Sequence, residues 1–164
     1  MAAPIVARIT GQKYVVSKRE CLYGDGSCSF VLGPAKRYEI RSAVCKKPRQ
    51  GNLTSGDTHS LLELQDGYFV AILSDGMGVG PKAAQASGTT VTVMEELLRA
   101  GLNKEFVVQM VNSVLLLRNQ EETFATVDVC LINLYSAQAE FLKIGAAPTY
   151  IKRDKEVKML CSTS

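Results

Sequence analysis

The chain has 164 residues, of which 46% are apolar and 21% charged, with a net charge of +3. This is enough chain, of ordinary globular composition, for one domain or slightly more around a real core, and the mild, scattered positive charge argues against a nucleic-acid surface. No run approaches the roughly 20 apolar residues of a membrane helix, and Met1-Ala2-Ala3-Pro4 lacks the charged and apolar regions of a signal peptide.

Residues 1–37 are weakly patterned and read as a linker or the tail of an upstream domain. Within them, Arg8 to Ser17 suggests a strand broken at Gly11, Tyr23 to Ser27 a loop, and Ser29 to Leu32 an extended piece ended by Gly33-Pro34. Tyr38 to Cys45 alternates and predicts a strand. The cluster Lys46-Lys47-Pro48-Arg49 reads as a solvated loop. Five cysteines, Cys21, Cys28, Cys45, Cys130 and Cys161, include no Cys-x-x-Cys pair, and His59 is the sole histidine. Zinc is therefore poorly supported and reduced cysteines are the simpler expectation, as is a half-buried structural role for His59.

From residue 55 the pattern sharpens. His59 to Leu64 and Tyr68 to Ser74 read as the strands of a hairpin around Gln65-Asp66-Gly67, where glycine accepts the positive φ of a tight turn. Centring the turn on Asp66 sets Asp57 opposite Asp75, and directly opposed residues lie about 4.5–5.5 Å apart, where like charges repel. A hard divalent cation relieves that repulsion, because carboxylate and carbonyl oxygens are the ligands Mg²⁺ and Mn²⁺ take. Loop aspartates capping strand ends in water are the alternative. The second strand, apolar at every position from Tyr68 to Leu73, suits a central strand covered on both faces.

Ser74-Asp75-Gly76-Met77-Gly78-Val79-Gly80 then leads into a helix over about 81–100, with Pro81 in the first turn and Gly101 as C-terminal cap. Its stripe is Ala84, Val91, Met94, Leu97 and Leu98. A second helix over about 103–117, N-capped by Asn103, presents Phe106, Val107, Met110, Val114 and Leu117. The short link at Gly101-Leu102 makes the two helices antiparallel neighbours. Period two returns at Thr123 to Leu134, then Ala139 to Ile144, and a last hairpin joins Thr149 to Lys152 with Glu156 to Leu160. Helices grouped between antiparallel strands predict an α+β layered fold. The Asp-Gly-Met-Gly loop lacks the Gly-Lys-Ser/Thr of a P-loop, the Gly-x-Gly-x-x-Gly of a dinucleotide fold and the spacing of a calcium loop. Metal-assisted phosphoester hydrolysis remains as the chemistry two facing carboxylates serve.

Ser55-Gly56-Asp57, a hairpin, and Ser74-Asp75-Gly76-Met77-Gly78 resemble the metal-dependent type 2C (PPM) serine/threonine phosphatases, and among these the sporulation family of stage II protein E. Asn112 to Arg118, Ala125-Thr126-Val127-Asp128 and Phe141 to Arg153 carry the narrower likeness, which covers about Tyr38 to Leu160. The resemblance implies a PPM-type layered fold, with residues 38–164 as its N-terminal portion and its C-terminal part missing. It implies Asp57 and Asp75 as metal ligands and catalytic residues, with Asp75 bridging two Mn²⁺ or Mg²⁺ ions, and the Gly76 carbonyl as a further ligand. Thr126 becomes a structural neighbour of the site, and the helices after Asp75 become elements whose position controls metal binding. The implied substrate is a phosphoserine on an anti-sigma-factor antagonist, in the cytoplasm, with release of a sporulation sigma factor as the outcome. The parent protein can carry a membrane anchor, and a homodimer is a further expected partner state. Two more metal aspartates of the family have no counterpart, since Asp128 lies inside a strand and Asp154 in an exposed turn. Of the basic residues, Arg41 and Arg49 are positional candidates for the family's phosphate-holding arginine. A fragment with weakened or absent activity is therefore expected. The alternative from another class is a non-catalytic regulatory or dimerisation module built on the helix pair.

Overall fold

A computed structural model of the chain describes residues 2–21, 28–48, 54–103, 106–107, 109–110, 113 and 124–161. It divides into two compact units, one of Met1–Glu39 with Leu134–Ser136, the other of Ile40–Asn133 with Ala137–Ser164.

The first unit holds α1 (Ala2–Thr10), β1 (Tyr14–Cys21) and β2 (Cys28–Pro34). The expected strand across Arg8 to Ser17 is instead a helix that ends at Thr10, with Gly11 N–H donating to Ala7 O at 2.9 Å, followed by a strand from Tyr14. β1 and β2 pair antiparallel, with a register shift between Val16 and Lys18. Cys28, opposite Cys21 in that register, is disulfide-bonded, which corrects the expectation of reduced cysteines; Cys45, Cys130 and Cys161 are free. The loop anticipated at Tyr23 to Ser27 lies outside the described residues.

The second unit is built on a four-stranded antiparallel sheet in the order β3 (Asp57–Glu63), β4 (Tyr68–Asp75), β5 (Val127–Asn133), β6 (Ala139–Ile144). β7 (Thr149–Arg153) and β8 (Glu156–Leu160) form a separate hairpin around Asp154. Tyr38 to Cys45 is irregular. Its alternation lacks a described strand to pair with, and Tyr38 and Val44 are exposed, so no buried face holds it extended.

α2 (Pro81–Arg99) lies against β3 and β4. It starts at Pro81 because a missing N–H costs nothing in a first turn. Val70 and Ile72 of β4, Val127 and Val129 of β5, and Val91, Met94 and Leu98 of α2 form the core. Each such side chain contributes roughly 1.5–3 kcal/mol on burial. The buried helix face begins at Ala83 rather than the expected Ala84, and it continues through Ser87 and Thr90. Ser87 meets the sheet by a hydrogen bond, while the Thr90 hydroxyl donates to Ala86 O of its own helix at 3.0 Å. The Thr58 and Ser87 hydroxyls share a hydrogen bond of 2.7 Å, and Ser60 donates to Glu95 at 2.8 Å. Arg99 and then Ser60 hold the Glu95 carboxyl below its usual range.

The second helix begins as expected: Phe106 N–H donates to the Asn103 side chain at 3.1 Å, and Phe106, Val107, Gln109, Met110 and Ser113 are helical. Of its described apolar positions only Val107 is buried, while Phe106 and Met110 are exposed. Val114, Leu117 and most of Asn112 to Arg118 lie outside the described residues, as does Thr123. β4 is central, but among the described residues only its Val70-Ile72-Ser74 face is covered. On the other face Leu73 is 49% exposed, contrary to the two-sided cover its composition predicted.

On that second face Lys143 of β6 meets Asp128 of β5, directly opposite in register, at 2.5 Å, and donates to Thr149 at 2.8 Å. The Lys143 side chain is only 4% exposed. Lys143→Met leaves Asp128 without its cation and is expected to cost about 2 kcal/mol in denaturant unfolding, with Lys143→Met/Asp128→Leu recovering most of it. A single variant as stable as the parent would contradict this.

Candidate metal centre

The hairpin delivers the predicted pairing. β3 and β4 are in the register Asp57↔Asp75, set by a turn in which Leu64 N–H donates to Tyr68 O at 2.7 Å and Gly67 N–H to Leu64 O at 3.1 Å. The two carboxyls lie close enough to hydrogen-bond. Partial burial, then the hydrogen bond with Asp57, then the Asp57 charge raise the Asp75 carboxyl above its ordinary value. Two facing carboxyls of this kind are a donor set for a hard cation.

Three chain segments fix the pair. Before β3, buried Ser55 donates its hydroxyl to Asp57 Oδ2 at 3.1 Å and accepts from Asp57 N–H at 3.3 Å. Beyond β4, Thr126 holds Asp75 from both sides: Asp75 N–H donates to Thr126 Oγ1 and Thr126 N–H to Asp75 O, each at 2.9 Å. Gly76 N–H donates to Gly56 O at 3.1 Å and Met77 N–H to Phe124 O at 2.8 Å. Gly76 also lies against the first turn of α2, where a Cβ on it would stand 1.9 Å from Ala83 O. Its carbonyl oxygen is beside Gly56, 3.1 Å from where a Cβ on that residue would stand. Sheet, glycine loop and helix therefore meet at the aspartates with no room for a side chain.

Asp57, Asp75 and Gly56 line a cavity of about 270 Å³ with Lys47, Thr54, Ser55, Gly78 and Val79. Asp57 and Asp75 thus share one cavity, while Gly76, next to Asp75 in the chain, is not among the residues that line it. Asp128 is tied to Lys143, and Asp154 is in the β7–β8 turn. Among the described residues no group of three His, Cys, Asp or Glu is placed to hold a metal ion. The pair fits one hard cation of the Mg²⁺ type, which keeps several waters and takes one or two carboxylates plus substrate phosphate. His59 is exposed on β3, not half-buried. Burial pushes the Cys130 thiol up, and Asp128 adds to it, so Cys130 is no thiolate nucleophile. Arg41 is exposed in the irregular segment and does not line the cavity; Arg49 lies outside the described residues. Lys47, dismissed in the sequence as part of a solvated loop, lines it instead. No periodicity could have flagged it, because Lys47 lies outside any helix or strand.

No helix of the described structure is long and apolar enough to cross a membrane. The sequence profile of the stage II sporulation protein E (SpoIIE) family matches residues 65–164. The chain is 36% identical over 162 residues to stage II sporulation protein E of Priestia megaterium, covering 98% of this chain and 28% of that protein. It is 31% identical over 156 residues to the Bacillus subtilis (strain 168) protein, covering 94% of this chain and 19% of that protein. Both relatives extend well beyond the stretch matched. The fold is similar to the solved PP2C phosphatase domain of the cell-fate determinant SpoIIE from Bacillus subtilis, which includes a fragment of its regulatory domain. That likeness has a TM-score of 0.77 at 31% identity, over 99% of this chain and 47% of that one. An α+β PP2C fold whose hairpin sets Asp57 against Asp75, and whose sequence follows these relatives along nearly its whole length, leads to one assignment: the chain belongs to the stage II sporulation protein E family.

Proposed function

We propose that this chain forms the Asp57–Asp75 part of a Mn²⁺- or Mg²⁺-dependent protein serine/threonine phosphatase. The substrate is a phosphoserine on a cytoplasmic anti-sigma-factor antagonist, whose dephosphorylation activates a sporulation sigma factor. The observation that carries this reading is the pair of aspartates set opposite one another at the mouth of the glycine loop, in a member of this family. Asp57 and Asp75, with the Gly76 carbonyl, hold the cation. Thr126 and Ser55 keep the two carboxylates in place. When bound, such cations polarise the phosphoryl oxygens and lower the pKa of a bound water. The cavity size supports a protein substrate. At about 270 Å³ it holds a phosphoryl group and ions, and it is below the roughly 300–1,000 Å³ of pockets that enclose whole small ligands. Residues 1–37 then end the regulatory region, in keeping with the separate first unit.

The test is phosphate release from a phosphoserine protein of this class with Mn²⁺ and with EDTA. The expected result is turnover that needs the cation and stops when it is removed. Equal rates in EDTA would remove the metal from the account. A second reading, a dimerisation module, draws on the exposed Phe106 and Met110 of the second helix. It predicts a concentration-dependent dimer without Mn²⁺-dependent turnover.

A further inference from the structure

The first unit holds a cavity of its own, of about 750 Å³, within the roughly 300–1,000 Å³ of small-molecule sites. Its walls carry Lys13, Lys36, Arg37, Gln12 and Tyr135, and no carboxylate. Three chain segments supply them, and backbone hydrogen bonds fix those segments to one another. Ala35 N–H donates to Lys13 O at 2.8 Å, one rung beyond the Tyr14↔Pro34 pair, and the Arg37 and Tyr38 N–H groups donate to Leu134 O at 3.0 and 3.1 Å. Among the described residues neither Lys13 nor Arg37 pairs with a carboxylate, and the Arg37 guanidinium lies 6.0 Å over the Tyr38 ring. Residues 1–39 contain six basic and three acidic side chains, so the whole net charge of +3 resides in this unit. Like charges gathered around a concave wall raise the local potential and draw in anions.

We propose that this cavity binds an oligophosphate ligand of nucleotide size. Two or three linked phosphoryl groups present several anionic oxygens, which the lysines meet as point charges and Arg37 as a planar fork able to take two oxygens at once. The half-buried Tyr135 ring on the same wall offers an aromatic face to a base. No residue is shared with the cavity over Asp57 and Asp75, so this site stands independently of the metal centre.

Calorimetric titration of the 164-residue chain tests this, with tripolyphosphate, ATP and adenosine as separate titrants at physiological salt. EDTA is present throughout, so that no metal bound at the aspartates recruits phosphate. Saturable binding of tripolyphosphate and ATP, and none of adenosine, is the expected result. Lys13→Ala and Arg37→Ala are each expected to weaken binding about tenfold or more. Lys155→Ala, at the β7–β8 turn, is the control for unspecific charge and should change it less than about twofold. All three side chains are exposed, so the variants keep the fold. ATP binding tighter than tripolyphosphate, with the difference lost in Tyr135→Leu, would support a nucleotide. Equal affinities would support the oligophosphate itself. Absence of saturable binding by both phosphate ligands would overturn the site. So would adenosine binding as tightly as ATP, or losses in Lys13→Ala and Arg37→Ala no larger than in Lys155→Ala.

Discussion

Replacing Asp75 with Asn is expected to reduce Mn²⁺-dependent phosphoester hydrolysis by at least about 100-fold, because it removes one of two facing carboxylates and the charge a cation needs. The side chain keeps its size, so the protein folds. Without metal the variant should even gain stability at neutral pH. The Asp75 carboxyl is raised in the folded state, so folding favours its protonated form. Its favourable contribution is present at low pH and lost as pH rises through the folded value; at pH 7 the ionised pair is a burden. Asparagine relieves that repulsion, a gain of up to about 1 kcal/mol for cross-strand like charges, or roughly 3 °C in a chain of this size. The gain should disappear below the ordinary aspartate value of 3.8, where the parent carboxyl is protonated as well. Thermal unfolding of both proteins at pH 7 and pH 3 in EDTA checks this. A destabilised variant at pH 7 would mean that the aspartates do not oppose one another.

Gly76→Ala should give the largest loss of stability. The new Cβ would meet Ala83 O at 1.9 Å, its carbonyl carbon at 2.6 Å and its Cα at 2.9 Å, and all three are helix backbone. Backbone cannot rotate away, so α2 must move. We expect a loss of about 3 kcal/mol, roughly 9 °C, together with weaker Mn²⁺ binding, since Gly76 ties the metal side of the sheet to the helix. Gly78→Ala is the control. A Cβ there meets nothing within 4 Å, and the cost is confined to a φ of 95°, about 1 kcal/mol. Equal losses at the two positions would show that α2 does not lean on Gly76.

Where the sequence was legible, two periodicities and a turn agreed. The hairpin register followed from the Gln65-Asp66-Gly67 turn and the period-two strands, and it carried Asp57 to Asp75 without further help. Pro81 and Gly101 bracketed α2 because each suits one end of a helix and little else. The first unit was illegible for a physical reason. α1 buries no residue, and Val15, Val16, Phe30 and Val31 are all exposed, so no in-and-out alternation marks the strands. Tyr38 to Cys45 shows the converse: alternation is present but no described strand pairs with it. The core stripe of α2 was misread by one residue at Ala83 because small residues at 83, 84 and 86 make helix phase ambiguous. Lys47 lines the cavity beside the aspartates although no periodic stretch contains it.

The central claim is that the Asp57–Asp75 pair holds a divalent cation. It is tested most directly by paramagnetic broadening of the backbone amide NMR signals on addition of substoichiometric Mn²⁺. The account predicts selective loss of the Gly56, Asp57, Asp75 and Gly76 signals, their return with EDTA, and no such focus in Asp75→Asn. Broadening that spares these residues, or that is centred elsewhere in the chain, would contradict it.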